Sequence, residues 1–168
     1  MNSQEFSRFY RDNIEKVYRF ILLKVNSSEL AQDLTSETFM RTWKYTGDKN
    51  VPVKNTRALA YRIARNLIID WYRRKDSQVL SLDDPVIELA LHHPHTDISP
   101  EYELAMKSDI ENIRKAVALL RPEHGEAILL HYLNDLSIRE IAEVFEESEG
   151  TIRVWLHRGL RELREKLI

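Results

Sequence analysis

Phe6, Phe9, Tyr10, Ile14, Val17, Ile21 and Val25 recur mostly at intervals of three and four, which predicts one apolar face on a helix over residues 4–25. Asn26-Ser27-Ser28 interrupts that pattern, and Ser28 is the expected cap of a second helix reaching about residue 45. Residues 46–52 read as a loop by composition. Asn55 is the expected N-cap of a third helix running to residue 74 or 75. Residues 77–98 sustain no period and carry Asp84-Pro85, His93-Pro94-His95 and Ile98-Ser99-Pro100. They read as a linker with a short helical stretch near residues 86–91. Ser99-Pro100-Glu101 is a helix start, with a cap, a proline in the first turn and acids facing the positive end of the helix dipole. The fourth helix then carries Met106, Ile110, Ile113, Val117 and Leu120 on one face. Arg121-Pro122 ends it, and a fifth helix is expected over residues 122–133.

The last thirty residues hold the sharpest pattern. Ser137-Ile138-Arg139-Glu140 is a capping box, in which serine and glutamate satisfy each other's backbone donors. Ile138, Ile141, Ala142 and Phe145 give a short apolar face, and Glu146-Glu147-Ser148 a tight turn. A final helix follows, with Ile152, Leu156, Leu160, Leu163 and Leu167 expected on one stripe. A short helix, a three- or four-residue turn and a longer basic helix form a helix-turn-helix. The face opposite the stripe centres on Val154, His157, Arg158 and Arg161, with Arg153 and Thr151 at its margins. Guanidinium forks suit guanine O6 and N7, and valine suits a thymine methyl. A solvated face on a bundle helix is the competing reading, because Glu162 and Glu165 dilute the charge. The capping box, turn and second helix in succession favour DNA.

Composition agrees with an all-helical reading. The 168 residues include only four glycines and five prolines, with 43% hydrophobic and 31% charged residues, as expected of a soluble globular chain. There is no cysteine, which excludes a disulfide framework and thiolate metal sites. The opening Met1-Asn2-Ser3-Gln4-Glu5 has no basic segment before an apolar run, and no stretch approaches a membrane span, so a cytoplasmic location is expected. Net charge is −2, but it is segregated. Residues 56–75 hold Arg57, Arg62, Arg65, Arg73, Arg74 and Lys75 against the single acid Asp70, whereas residues 77–104 hold six acids and no lysine or arginine. Phosphate binding follows local fields, so nucleic acid stays within reach.

Candidate chemistry narrows the choice further. The third helix interleaves arginines with aromatics, a pattern suited to tracking a backbone and stacking on unpaired bases. Tyr61, Ile63, Leu67, Trp71 and Tyr72 are nevertheless better read mostly as bundle core, with Asn66 the polar exception able to reach a base edge. On the second helix Asp33, Glu37, Arg41 and Lys44 form a polar stripe, read as an exposed ion-pair ladder or docking face rather than a catalytic carboxylate pair. His92, His93 and His95 could suggest a metal enzyme, but they lack the spacing of a metalloprotease helix and have no thiolate partner.

Two runs resemble a known family. Leu30-Ala31-Gln32-Asp33-Leu34-Thr35-Ser36-Glu37-Thr38-Phe39 with Trp43, and Tyr61 through Asp70 with Arg73-Arg74, resemble region 2 of sigma factors. Leu120-Arg121-Pro122 and the stretch from Leu136 to Leu163, with Glu149-Gly150-Thr151-Ile152-Arg153, resemble region 4. Nearly the whole chain is similar to the extracytoplasmic-function group of the sigma-70 family. The resemblance implies an all-α fold of two small helical domains, a region 2 bundle over 1–76 and a region 4 helix-turn-helix over 100–168. A flexible acidic linker over 77–99 would join them. It implies a transcription initiation factor that catalyses nothing by itself and takes no cofactor or metal. Gln32, Asp33, Ser36, Glu37 and Arg41 would face the β′ clamp helices of core RNA polymerase. Lys49 and Asn50, in the loop after the second helix, would capture a base flipped from the −10 element, with Arg62, Arg65 and Asn66 on that strand. Thr151, Arg153, Val154, His157, Arg158 and Arg161 would read the −35 element, and the C-terminal domain would meet the β flap. An anti-sigma factor is the implied regulator. One departure stands out: Val154-Trp155 replaces the Ser-Arg common among relatives, and Trp155 lies about 60° from the apolar stripe, where it can pack at the core edge. A self-sufficient helix-turn-helix regulator is the alternative, and it leaves the second and third helices unexplained.

Overall fold

The computed structural model describes residues 1–48, 53–77 and 100–167, and of residues 76, 77, 102–108 and 167 the backbone alone. Lys49, Asn50, the three linker histidines and the expected helical stretch at 86–91 lie outside the described residues. The chain divides into two compact units, residues 1–98 and 99–168. Among the described residues every regular element is helical, and no helix is long and apolar enough to cross a membrane.

The first unit is built from α1 (Ser3–Val25), α2 (Ser28–Gly47) and α3 (Thr56–Ser77). Asn2 and Glu5 start α1 with a reciprocal capping box: the Glu5 amide donates to Asn2 Oδ1 at 2.8 Å and the Asn2 amide to Glu5 Oε2 at 3.1 Å. Asn26 ends the helix in the left-handed conformation, φ 53°, which asparagine tolerates better than most residues. The cap of α2 is Ser27, not the expected Ser28; its Oγ accepts the Leu30 amide at 3.3 Å. The left-handed turn at Asn26 brings the chain into register one residue earlier. Asn55 caps α3 as expected, accepting the Ala58 amide at 2.9 Å.

From Asn13 onward α1 is buried on most of its circumference: Tyr18, Phe20, Leu22 and Leu23 join the face read from the sequence, because both α2 and α3 pack on it. Phe20 meets Tyr61 edge to face at 5.6 Å. Thr35, Thr38 and Thr42 are fully buried on α2. Each hydroxyl donates to the carbonyl four residues back, at 2.6, 2.7 and 2.7 Å, which satisfies a polar group that would otherwise be costly to bury.

The second unit comprises α4 (Pro100–Val117), α5 (Pro122–Ile128), a π-helical turn (Leu129–Leu133), α6 (Ile138–Phe145) and α7 (Glu149–Leu167). The fifth helix expected over 122–133 is present, but its last turn widens to the π form. The Asn134 and Leu136 amides bond back to the carbonyls of Leu129 and Leu130 at 3.1 and 2.9 Å. This widening delivers the chain into a left-handed Asp135, φ 59°, and drives Leu136 into the core. A Cβ on Gly125 would lie 2.7 Å from Val117 Cγ1, so the close approach of α4 and α5 requires glycine there.

Candidate nucleic-acid and partner interfaces

On α2 the polar stripe is only partly accessible. Asp33 is 1% exposed, which corrects the expectation of an exposed ladder starting at that residue. With α1 and α3 both packed on α2, a narrower arc of the helix reaches solvent. Gln32, Ser36, Glu37 and Arg41 are half-buried and Lys44 is exposed. Arg41 Nε donates to Glu37 Oε1 at 2.6 Å, an i, i+4 pair of the kind expected. Beside this pair lies an apolar feature the sequence reading missed. Met40 and Trp43 are 42% and 40% exposed, and they line a groove of about 460 Å³ between α1 and α2 with Phe6, Tyr10, Ser36 and Phe39. Trp43 packs on Phe6 at 4.8 Å and Tyr10 on Phe39 at 4.9 Å. At 100° per residue, Ser36, Met40 and Trp43 adjoin Glu37, Arg41 and Lys44 around α2. One continuous surface therefore offers apolar and charged groups side by side. The legible signal was the i, i+3 pair Met40 and Trp43, which has no place on the buried face.

On α3, Tyr61, Ile63 and Leu67 are buried core residues, as their apolar spacing suggested. Asn66 is exposed, Arg62 and Arg65 are half-buried, and Ile69 and Arg73 continue an accessible strip beyond Asn66. Trp71 packs edge-on against Tyr72 at 4.9 Å with Lys75 Nζ 5.1 Å above its ring, and the Tyr72 hydroxyl donates to the Lys24 carbonyl. Trp71 is half-buried and Tyr72 38% exposed, so these two aromatics sit at the edge of the bundle and not in the core expected for them.

In the second unit the helix-turn-helix forms as the capping pattern required. The Glu140 amide donates to Ser137 Oγ at 3.1 Å and the Ser137 amide to Glu140 Oε1 at 3.0 Å. Glu146, φ 56°, makes the left-handed turn, and the Glu147 amide returns to the Ala142 carbonyl at 3.0 Å. Ser148 Oγ accepts the Thr151 amide at 3.1 Å and lies 3.0 Å from the Thr151 hydroxyl, so Thr151 belongs first to the cap. Ile141, Ile152, Val144 and Leu156 bury the seam between α6 and α7.

Arg153, Val154, His157, Arg158 and Arg161 all face solvent on α7, with Arg153 lying 3.7 Å from Glu149. Trp155 stacks edge-on against Phe145 at 5.2 Å, at the core edge as its position suggested. The buried stripe differs from the expected one. Leu160 is 38% exposed, and the stripe runs through Ile152, Leu156, Gly159 and the half-buried Leu163. Successive steps of four drift by 40° each from the helix repeat, and Leu160 is carried off the face. At Gly159 a Cβ would stand 2.5 Å from Ile128 Cδ1.

Behind this helix, His124 is 3% exposed, with Nδ1 2.7 Å from Glu162 Oε1. The hydrogen bond to His124 holds the Glu162 carboxyl below its ordinary value, against the desolvation that pushes it up; the Arg121 backbone and the charges of His124 and Lys166 add to the lowering. His131 Nδ1 donates to the Leu136 carbonyl at 2.8 Å. Among the described residues no three His, Asp or Glu side chains gather as a metal site would require.

Family models of known proteins match the two units. Sigma-70 region 2 matches residues 9–78 and Sigma-70, region 4 matches residues 110–163. The chain is similar to the ECF RNA polymerase sigma factor BldN of Streptomyces coelicolor, 32% identical over 162 residues, covering 96% of this chain and 60% of that protein. It is also similar to the ECF RNA polymerase sigma factor SigM of Bacillus subtilis, 28% identical over 155 residues, covering 92% of this chain and 90% of that protein. Among solved structures, the sigma factor RpoE of Bartonella quintana, determined in complex with the anti-sigma factor NepR, shares the fold. Its TM-score is 0.66 at 20% identity, covering 98% of this chain and 97% of that one.

Proposed function

This chain belongs to the extracytoplasmic-function group of the sigma-70 family, and we propose that it binds core RNA polymerase and directs it to promoters bearing −10 and −35 elements. The observation that carries the reading is the outward display of Arg153, Val154, His157, Arg158 and Arg161 on a helix whose other side is anchored by Ile152 and Leu156. That arrangement fits major-groove docking, with guanidinium groups for guanine and phosphate. The α3 strip with Asn66 and the neighbouring Arg62 and Arg65 suits the −10 strand, and the loop holding Lys49 and Asn50 adjoins that helix in sequence. The domains are assigned as 1–76 for region 2, 77–99 for the linker and 100–168 for region 4. The protein contributes no catalysis of its own.

The surface of Met40, Trp43, Glu37 and Arg41 on α2 is assigned to the polymerase clamp helices. It combines an aromatic anchor with a charge pair, the make-up of a binding hot spot. The second unit is assigned to the β flap. The same apolar groove suits an anti-sigma factor, which would hold the chain inactive by covering it. Affinity for core polymerase tests this assignment: Trp43→Ala and Glu37→Ala should each weaken binding about fivefold or more, with thermal melting of the chain unchanged in Glu37→Ala and lowered in Trp43→Ala, whose ring packs on Phe6. Full affinity in both variants contradicts it.

A further inference from the structure

The second half of α7 is held differently from the first. Ile152 and Leu156 anchor the N-terminal turns by apolar burial, but beyond them Leu160 turns outward. Three other contacts take over. Gly159 lets α5 approach until Ile128 Cγ1 and His124 Cβ lie 3.2 and 3.4 Å from where a Cβ would be. Glu162 meets the buried His124 at 2.7 Å. Lys166 Nζ donates to the Leu119 carbonyl at 2.6 Å, in the turn between α4 and α5. All three contacts lie along one side of α7; Arg161 projects away from it, and Arg158 stands at i, i+4 before Glu162 on the adjoining edge.

We infer that the His124–Glu162 hydrogen bond is a positioning clasp, which fixes the rotation and tilt of the recognition helix and so determines base discrimination by Arg153, Arg158 and Arg161. A carboxylate only accepts, so His124 Nδ1 carries the proton and donates. The lowered pKa of Glu162 keeps that acceptor ionised at neutral pH. The leverage is geometric. Side-chain tips lie roughly 5–6 Å from a helix axis, so a 30° rotation moves them about 3 Å. A base-edge hydrogen bond tolerates a few tenths of an ångström. Phosphate attraction varies slowly over such a distance and survives the shift. Loss of the clasp therefore removes discrimination and spares general DNA affinity.

The inference rests on the −35 assignment of α7 made above. Substitution at buried His124 endangers the fold, so the partly accessible Glu162 carries the test. Holoenzyme is assembled from core polymerase and the full chain, and its binding to a promoter duplex selected from a random library is compared with binding to the same duplex scrambled at −35. Glu162→Ala and Glu162→Gln remove the same charge, but only glutamine keeps an oxygen acceptor for His124. Glu162→Ala should lower the ratio of promoter to scrambled affinity about fivefold or more, with scrambled affinity changed less than about twofold. Glu162→Gln should hold the ratio within about twofold of the parent. A purely structural role would scale both affinities together and leave the ratio alone. An unchanged ratio in Glu162→Ala, or an equal fall in both variants, overturns the clasp. Arg158→Ala separates the two levels: if its ratio falls while Glu162→Ala matches the parent, only the clasp fails. If neither variant alters the ratio, the −35 assignment fails with it.

Discussion

Asp33 and Glu37 stand one turn apart on α2 with the same charge, but burial gives them different work. Asp33 is 1% exposed, whereas Glu37 keeps an accessible edge and a partner in Arg41. Asp33→Ala should therefore cost about 1–3 kcal/mol of stability, as expected for disturbing a buried polar group, seen as a lower melting temperature of the chain. Melting within a degree of the parent would count against a structural Asp33. The sequence could not separate these two residues, because the spacing of four is the same whether a stripe faces solvent or a neighbouring helix. Glu162 gives a residue-scale prediction in pH. Its folded pKa is lowered from an ordinary value of 4.5, so its contribution to stability is complete above that value and disappears as pH falls through the lowered one. The stability difference between the parent and Glu162→Gln should shrink as pH drops below about 4.5, measured by thermal melting from pH 7 to 3. A difference that stays constant across that range would show that the carboxylate adds nothing to the fold.

At the scale of elements, side-chain capping made most boundaries legible. Asn55 and Ser137 cap α3 and α6 as their sequences indicate. Only Ser27 took the place expected of Ser28, since the left-handed Asn26 is not encoded by a spacing. The stripe on α7 was misjudged at Leu160 for a related reason: a glycine one residue earlier takes the buried place, and the space it leaves for Ile128 is a property of the packed pair, not of one helix. Met40 and Trp43 were missed because an apolar residue reads as core until the core is seen to be full. The capping box of α6 sets the start of the whole helix-turn-helix. Ser137→Ala should cost about 1 kcal/mol and lower the melting temperature of the second unit by roughly 4–8 °C. No shift in melting would mean that Glu140 and water replace the lost acceptor.

At the scale of the whole molecule, two helical units divide the labour assigned to them. The first pairs a bundle core with an apolar and charged face on α2 and a polar strip on α3; the second presents α7 on a scaffold of the four helical elements that precede it. The fold class was legible from periodicity, capping and the scarcity of glycine and proline. The outward basic face of α7 was legible as well, since a basic arc opposite an apolar one follows from the helix repeat alone. What holds that face in place was not, because His124 and Glu162 are 38 residues apart and meet only after folding.

The most direct test is transcription in vitro from a pool of promoter-containing fragments, with core polymerase alone, this chain alone, and both together, followed by sequencing of the transcript starts. The account predicts defined start sites sharing −10 and −35 elements only when core and chain are combined. It also predicts fewer starts at −35-dependent promoters with Arg158→Ala. Tight duplex binding by the chain alone, with the same starts from core whether or not the chain is present, would contradict it.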